Sequence, residues 1–449
     1  MRPLLPFALL LTALPAQNCN GTSTGRKALT DLGPGLYQGH VGGLYPDGAN
    51  LPPANHMLAA LQRANRIVPR DALGAPSPAG RIVLLSIGMS NATQEYSAFV
   101  QLANADPRKQ PSVLLVDGAQ GGQTAAIIVN PNANFWTVVT QRLTALNATP
   151  AQVAAVWLKE ANAGPTQPFP AEALTLQGQL EGIAQILKGK YPNLELCFLA
   201  SRTYAGYATT TLNPEPHAYE TGFACQWLIR DQIQGKPALN PDPARGPVLA
   251  PLLLWGPYLW ADGLLPRGDG LTWLCSDFGT DGTHPSTQGR QKVGRLLLDF
   301  FTRDPVAAPW FCTGRGTSCQ RAELTAYGAG TTGSRGVPGL AALALPILGG
   351  AQALVPRVTD ARPGAACALL LGTQPASMPF LGGTVLVQPT VSLATTTDAL
   401  GQGTWDLGLL PLQPAWCGVH LFGQALVIDP AGPAGVIAHS RGLDLRLGE

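Results

Sequence analysis

The chain is poor in charged side chains. Only 12% of its 449 residues are Asp, Glu, Lys or Arg, and the formal net charge at pH 7 is +2. No field of one sign is strong enough to attract nucleic acid or an anionic membrane surface. We therefore expect a small-molecule or neutral glycan partner, and no nucleic acid.

The sequence also lacks the C-x-x-C spacing of a zinc site, although it contains eight cysteines. This absence argues against the common structural zinc sites, and we expect no structural metal. An even number of cysteines permits disulfides in an exported chain. Spacing suggests a local bridge between Cys312 and Cys319, and a second between Cys367 and Cys417.

A long hydrophobic run is missing as well. The apolar stretch from Leu4 to Leu14 is too short to span about 30 Å of hydrocarbon. It follows Arg2 and precedes the small residue Ala16, which is the order of a secretory signal peptide. We expect residues 1–16 to be removed and the mature chain to be secreted, without stable insertion in a membrane.

Short apolar runs alternate with helical stretches between residues 80 and 302. The runs are Arg81–Ser86, Ser112–Val116, Ala151–Trp157 and Leu194–Leu199, and the helical stretches are Phe135–Leu146, Ala171–Lys188 and Thr287–Phe301. Strands and helices in alternation predict an α/β domain with a parallel sheet covered on both faces. We assign this domain to residues 80–320.

The flanking regions have different patterns. Residues 17–79 contain a stretch rich in Gly, Pro and Asn with little periodicity, and we expect an extended arm that packs on the α/β domain. From residue 321 to 449, Gly and Pro turns recur about every ten residues between short apolar runs. This spacing predicts a C-terminal all-β sandwich domain, while the oligomeric state stays open.

Ser90 directly follows the first strand of the α/β domain, in the sequence Gly88-Met-Ser90-Asn91. Reactive groups of such sheets gather beyond the carboxyl ends of the strands. A serine nucleophile needs a base that a carboxylate orients. Asp281-Gly-Thr-His284, just before the last helix, supplies both within one turn, so we predict a triad of Ser90, His284 and Asp281.

An oxyanion hole requires donors near the nucleophile. Gly121 and Gly122 follow the second strand and can each present a backbone N–H, and the choice between them is open. Asn162 follows the third strand and can offer its side-chain amide. We predict that the Ser90 amide, Gly122 and Asn162 bind the oxyanion.

Arg202 and Tyr204 follow the strand that ends at Leu199. Because this strand also points toward the cleft, we predict that both side chains bind the substrate through an acyl or sugar oxygen, and the alternative is that they only pack the loop.

The order of Ser90, Gly122, Asn162 and His284 along the chain resembles the four sequence blocks of the SGNH (GDSL-like) hydrolase superfamily. That superfamily is named after the Ser, Gly, Asn and His residues of its four blocks. Gly88-Met-Ser90-Asn91 and Trp157-Leu-Lys-Glu160-Ala-Asn162 are similar to motifs of the branch that contains sialate O-acetylesterases and acetylxylan esterases. The resemblance covers about residues 80 to 302. It implies a flavodoxin-like three-layer α/β/α fold, ester hydrolysis and no cofactor, while the C-terminal region resembles a module of secreted planctomycete-type bacterial proteins.

Two positions depart from the family pattern. The nucleophile turn is not G-D-S-L, and Lys159-Glu160 replaces the usual glycine of the third block. The resemblance implies a secreted bacterial serine esterase for short-chain acyl esters, acetyl above all, including esters on carbohydrates. Two alternatives are a lipase or arylesterase of the same mechanism, and a non-catalytic carbohydrate-binding surface protein.

Overall fold

The computed structural model describes residues 17–313, 321–350, 352–411 and 416–448, so the signal peptide expected at 1–16 lies outside the described residues. The helices are α1 (Leu29–Leu32), α2 (Ala54–Arg66), α3 (Ser90–Ala105), α4 (Ala125–Ile128), α5 (Asn134–Ala145), α6 (Ala171–Lys190), α7 (His217–Ile233), α8 (Thr287–Arg303) and α9 (Ala308–Phe311). The strands before residue 300 are β1 (Leu36–Tyr37), β2 (His40–Val41), β3 (Ile82–Gly88), β4 (Val113–Asp117), β5 (Val153–Lys159), β6 (Leu196–Leu199) and β7 (Leu252–Trp255).

A parallel sheet forms the centre of the α/β region, with the strand order β4-β3-β5-β6-β7. Strands β3 and β5 are buried along their whole length, as expected for strands that are covered on both faces. The sequence prediction of an α/β domain is confirmed, and β7 is the strand it missed. The register pairs Gly88 with Lys159, which brings the ends of β3 and β5 to the same edge.

Helices cover both faces of the sheet. Helices α3 and α8 pack against each other, and Phe99 of α3 lies 5.4 Å from Phe301 of α8 between ring centroids. Phe301 also contacts Phe198 of β6 at 5.6 Å. Helices α6 and α7 pack together on the opposite face, where right-handed crossovers place them. Each fully buried aromatic side chain of this core contributes roughly 2–3 kcal/mol.

The prediction of an extended arm is wrong over residues 54–66, which form α2. Its buried residues Met57, Leu58 and Leu61 follow helical spacing, and this pattern is short enough to be hidden by the Gly-rich and Pro-rich sequence around it. Helix α2 contacts β6 and β7 as well as strands of the C-terminal region. The segment is therefore a packed connector between the two regions.

The C-terminal region consists of antiparallel sheets, in agreement with the all-β prediction. Its strands are β8 (Glu323–Tyr327), β9 (Gly339–Ala342), β10 (Pro356–Thr359), β11 (Ala366–Gly372), β12 (Pro375–Phe380), β13 (Gly383–Val387), β14 (Val391–Thr396), β15 (Gly403–Thr404), β16 (His420–Ile428), β17 (Ile437–His439) and β18 (Gly442–Arg446). The largest sheet has the order β14-β11-β16-β18-β8. The β12–β13 hairpin packs on it, because Gln424 of β16 accepts from the Leu386 amide at 2.8 Å.

The disulfide pattern differs from both pairs that spacing suggested. Cys19 is bonded to Cys275, with 5.4 Å between their Cα atoms. Cys312 and Cys367 carry free thiols, and Cys417 is disulfide-bonded, so the Cys367–Cys417 pair does not form. Cys319 lies outside the described residues. Pairing depends on Cα distance in the fold, which sequence spacing does not give.

Membrane insertion was not expected from the sequence. Among the helices of the described ranges, none has both the length and the apolar character that crossing a bilayer requires.

Candidate active site

The turn between β3 and α3 holds Ser90. A Cβ atom added to Gly88 would lie 2.4 Å from the Ala92 Cβ and 2.5 Å from the Lys159 carbonyl oxygen, so only glycine fits there. Helix α3 starts at Ser90 itself, with Met89 as the N-cap residue. The nucleophile candidate therefore lies at the carboxyl edge of the sheet and at a helix N-terminus, where backbone N–H groups have no intrahelical acceptor.

Ser90, His284 and Asp281 form one hydrogen-bonded chain. The Ser90 Oγ lies 2.7 Å from His284 Nε2, and His284 Nδ1 lies 2.5 Å from Asp281 Oδ2. A carboxylate only accepts, so the imidazole proton resides on Nδ1 and Nε2 accepts from the serine hydroxyl. This is the arrangement in which histidine can remove the proton of serine.

The turn before α8 fixes the acid and the base. Asp281 Oδ1 accepts from the backbone amides of Thr283 and His284, both at 3.0 Å. Gly282 has φ +62°, and a Cβ there would be 1.9 Å from the Tyr207 carbonyl oxygen. The turn therefore needs a glycine between Asp281 and His284.

The carboxyl group of Asp281 stays ionised. Burial raises its pKa, but hydrogen bonds from the His284 ring and from the amides of Thr283 and His284 lower it more, and the net pKa lies below the ordinary value. An ionised carboxylate stabilises the imidazolium that forms when His284 takes a proton.

Backbone donors are available next to Ser90. A Cβ added to Gly121 would lie 3.8 Å from the Ser90 Cβ, so this glycine lies beside the nucleophile. Gly122 has φ +74°, a conformation that favours glycine. Within the described ranges, the amides of Ser90, Gly121 and Gly122 donate to no acceptor. They are free to bind an oxyanion.

The side chain of Asn162 is hydrogen-bonded on both of its polar atoms. Its Oδ1 accepts from the Ala126 amide at 3.1 Å, and its Nδ2 donates to Gln179 Oε1 at 2.7 Å. The side chain thus connects α4 to α6. Its engagement by these two helices could not be read from the sequence. An amide nitrogen carries two protons and the bond to Gln179 uses one of them, so the oxyanion role of Asn162 stays a prediction.

Tyr204 and Arg202 are both buried, contrary to the expectation that they line the cleft. The Tyr204 hydroxyl donates to the Gly21 carbonyl at 2.6 Å, and its ring contacts Tyr207 at 5.1 Å. The amino-terminal segment covers this loop and leaves Tyr204 1% exposed, which gives it a packing role. Arg202 is 2% exposed, and its Nε has no hydrogen-bond partner.

A buried ion pair lies behind the nucleophile turn, and sequence reasoning missed it. Lys159 Nζ is 2.7 Å and 2.5 Å from the two carboxylate oxygens of Glu95, and both side chains are 0% exposed. Lys159 is the last residue of β5, and Glu95 belongs to the second turn of α3. The pair therefore ties the end of β5 to the helix that carries Ser90. Burial lowers the pKa of Lys159, and the Glu95 carboxylate opposes this shift.

The candidate triad is open to solvent. The side chains of His284 and Asp281 are 29% and 30% exposed, and Gly121 and Gly122 are exposed. An acyl group can reach Ser90 from the surface without passing through a channel.

Comparisons with known proteins give weak structural likenesses. No family model matches the chain, and no curated protein matches it. A solved structure of a Bacillus subtilis protein is similar at 12% identity and TM-score 0.29, over 52% of this chain and 60% of that one. An Arabidopsis thaliana protein is similar at 12% identity and TM-score 0.27, over 46% and 67% of the two chains.

A third structure is the periplasmic domain of a lipopolysaccharide acetyltransferase from Salmonella serovar Paratyphi A. It is similar at 12% identity and TM-score 0.28, over 55% of this chain and 94% of that domain. The likeness to the Bacillus subtilis protein covers 60% of that protein, which is less than two thirds of its length. TM-scores of this size do not establish a common fold, and the site geometry has to carry the functional argument.

Proposed function

We propose that the chain is a serine ester hydrolase of the SGNH (GDSL-like) type. One observation carries this proposal: the Ser90 hydroxyl, the His284 ring and the Asp281 carboxylate form a continuous hydrogen-bonded chain at 2.7 Å and 2.5 Å. Ser90 and His284 are 194 residues apart in the sequence, and Asp281 lies three residues before His284. In this arrangement the base, His284, contacts the nucleophile and the carboxylate of Asp281 orients the base, as nucleophilic acyl transfer requires.

The reaction proceeds by acyl transfer. The Ser90 Oγ attacks the ester carbonyl carbon while His284 Nε2 takes the hydroxyl proton, and Asp281 stabilises the imidazolium. The amides of Ser90 and of Gly121 or Gly122 bind the oxyanion. His284 then protonates the leaving alcohol, and a water molecule, activated by the same histidine, releases the acid from Ser90. No step needs a metal or a cofactor.

The strand order supports the family assignment. The strand order of the parallel sheet is β4-β3-β5-β6-β7, so the second strand in sequence lies at the edge and the first lies next to it. This is the flavodoxin-like order. In open α/β sheets, ligands bind beyond the carboxyl ends of the strands, where β3 places Ser90.

The open position of the triad favours a short acyl group. A long acyl chain gains affinity only when apolar walls remove it from water. His284 is 29% exposed, so an acetyl group on a bulky or polymeric alcohol fits this surface better than a fatty acyl chain does. We propose that the chain is secreted, and the Cys19–Cys275 disulfide supports an oxidising environment for it.

A chain-length series tests the proposed acyl preference. We expect kcat/KM of the mature chain to fall at least about 10-fold from 4-nitrophenyl acetate to the octanoate, because nothing at the open site compensates for ordering the longer chain. The assay is the release of 4-nitrophenol under matched conditions. A rise toward octanoate would support the lipase alternative, and a rate equal to buffer for every ester would support a non-catalytic binding protein.

A further inference from the structure

The loop after β4 carries both glycines that can donate to an oxyanion. It starts after Asp117, the last residue of β4, and leads to the turn that contains Gly121 and Gly122. The Gln123 amide donates to the Gln120 carbonyl at 3.4 Å and closes this turn around the two glycines. The positions of the glycine amides therefore depend on what fixes the part of the loop before the turn.

The Asp117 carboxylate is hydrogen-bonded to three parts of the structure. Its Oδ1 accepts from the Ser86 hydroxyl of β3 at 2.6 Å and from the Ala119 amide of the loop at 3.1 Å. Its Oδ2 accepts from the hydroxyl group of Thr93 in α3. One carboxylate thus connects the strand before Ser90, the helix that begins with Ser90, and the loop that carries the glycines.

The contact with α3 lies close to the nucleophile. Thr93 belongs to the first turn of α3, and Ser90 is the first residue of that turn. The hydrogen bond between Thr93 and Asp117 therefore fixes the Ser90 amide relative to the loop. Asp117 is in this way bonded to both sources of oxyanion donors, the start of α3 and the glycine loop.

Other contacts hold the backbone of the same loop. Arg142 of α5 donates to the carbonyl groups of Asp117 and Ala119 at 2.9 Å and 2.7 Å. The Gln120 amide donates to the Gly88 carbonyl at 2.9 Å. Because these bonds do not involve the Asp117 carboxylate, its removal should shift the loop rather than unfold it.

We propose that Asp117 is the positioning residue of the oxyanion hole. Its carboxylate keeps the glycine loop and the start of α3 at the spacing at which amides from both can bind one oxygen atom. Asp117 acts through these donors and not on the substrate itself. Oxyanion donors are effective only when they are fixed before the reaction, and a misplacement of about 1 Å can lower the rate about 10²-fold. This inference rests on the proposed esterase function and deepens it.

The test changes the atom that the donors would bind. The wild type is assayed with 4-nitrophenyl acetate and with 4-nitrophenyl thionoacetate, in which sulfur replaces the carbonyl oxygen. Sulfur is a weak hydrogen-bond acceptor, so the donors stabilise the sulfur anion less than the oxyanion. We expect kcat/KM of the wild type, relative to the rate of each ester in buffer, to favour the oxygen ester at least about 10²-fold.

Asp117→Ala removes the carboxylate. We expect kcat on the oxygen ester to fall about 10- to 10²-fold, KM to stay within about 3-fold, and the preference for oxygen over sulfur to fall at least about 10-fold. A change that only loosened the fold would lower both rates together and leave this preference unchanged.

Asp117→Asn is the conservative variant. Its amide oxygen can accept from Ser86 and Ala119, and its amino group can donate to the Thr93 hydroxyl. We therefore expect kcat and the preference for oxygen to stay within about 3-fold of the wild type, because the shape of the network matters here and the charge does not.

A second variant and a control make the result specific. Thr93→Val replaces one hydroxyl by a methyl group, removes only the bond between α3 and Asp117, and keeps the test available if Asp117→Ala does not fold. It is expected to lower the preference for oxygen at least about 3-fold. Asp106→Ala removes a carboxylate at the other end of α3, where Asp106 pairs with Arg108 at 2.7 Å, and is expected to keep the wild-type kcat and preference. Circular dichroism checks the fold of each variant.

Four results would overturn the inference. These are a wild type that hydrolyses the oxygen ester without preference over the sulfur ester, a folded Asp117→Ala that keeps the wild-type preference whatever its kcat, a Thr93→Val that keeps this preference, and an Asp117→Asn that loses as much as Asp117→Ala. Failure of the proposed function differs from these results, because the wild type would then hydrolyse neither ester faster than buffer does.

Discussion

Replacement of Ser90 by alanine is expected to lower kcat for ester hydrolysis by at least about 10³-fold. The change removes the atom that forms the acyl-enzyme and leaves His284 without its partner at 2.7 Å. The fold should persist, since no other described side chain is hydrogen-bonded to the Ser90 hydroxyl. The measurement is the initial rate of 4-nitrophenyl acetate hydrolysis at saturating substrate, with circular dichroism as the check on folding.

Variants of the other two triad members give the matched comparison. His284→Ala should lose about as much activity as Ser90→Ala, because the two residues act as a unit. Asp281→Asn keeps the shape of the side chain but removes the charge that stabilises the imidazolium, and a loss of about 10²- to 10⁴-fold is expected. Activity that survives in Ser90→Ala would contradict the triad.

Replacement of Lys159 by methionine is expected to reduce the free energy of unfolding by about 3–5 kcal/mol. The substitution leaves the Glu95 carboxylate, at 0% exposure, without the ammonium group that donates hydrogen bonds to both of its oxygens. Glu95→Leu should reduce the free energy of unfolding by a similar amount, because it leaves the buried Lys159 ammonium group without its carboxylate partner. The measurement is the free energy of unfolding from urea denaturation, followed by tryptophan fluorescence.

Two controls separate the buried pair from charge effects in general. The double variant Lys159→Met with Glu95→Leu removes both charges and should recover most of the lost stability, since apolar replacement of a buried pair is often neutral. Asp299→Asn breaks the exposed pair with Arg303 at 3.7 Å and should cost less than about 1 kcal/mol. Equal losses in the double and single variants would contradict the ion-pair account.

Local sequence was sufficient for the central strands and for choosing the three residues of the candidate triad, which the fold brings into one hydrogen-bonded chain. Buried parallel strands are read from continuous apolar runs, and the turn after the first of them has to face the cleft. The spacing of Asp281 and His284 brings the two side chains together within one turn, whatever the rest of the chain does.

Long-range contacts were beyond such reasoning. Lys159 and Glu95 are 64 residues apart, and Cys19 and Cys275 are 256 residues apart. Only the folded chain brings the members of each pair together. For the same reason the sequence did not show that Asn162 bonds to Gln179.

Segments that pack on the α/β region from outside were also missed. Helix α2 has apolar residues at helical spacing, but its surroundings are rich in turn residues. Tyr204 follows a strand and was expected to face the cleft, yet the amino-terminal segment covers it through Gly21. Neither placement follows from the periodicity of the element alone.

Covalent trapping tests the central claim most directly. The mature chain is incubated with a fluorophosphonate, which reacts with activated serine hydroxyls, and the product is studied by intact mass and peptide mapping. The account predicts one adduct per chain on Ser90, no adduct in Ser90→Ala and a strongly reduced rate of labelling in His284→Ala. An unlabelled wild type that hydrolyses esters, or an adduct on another residue, would contradict it.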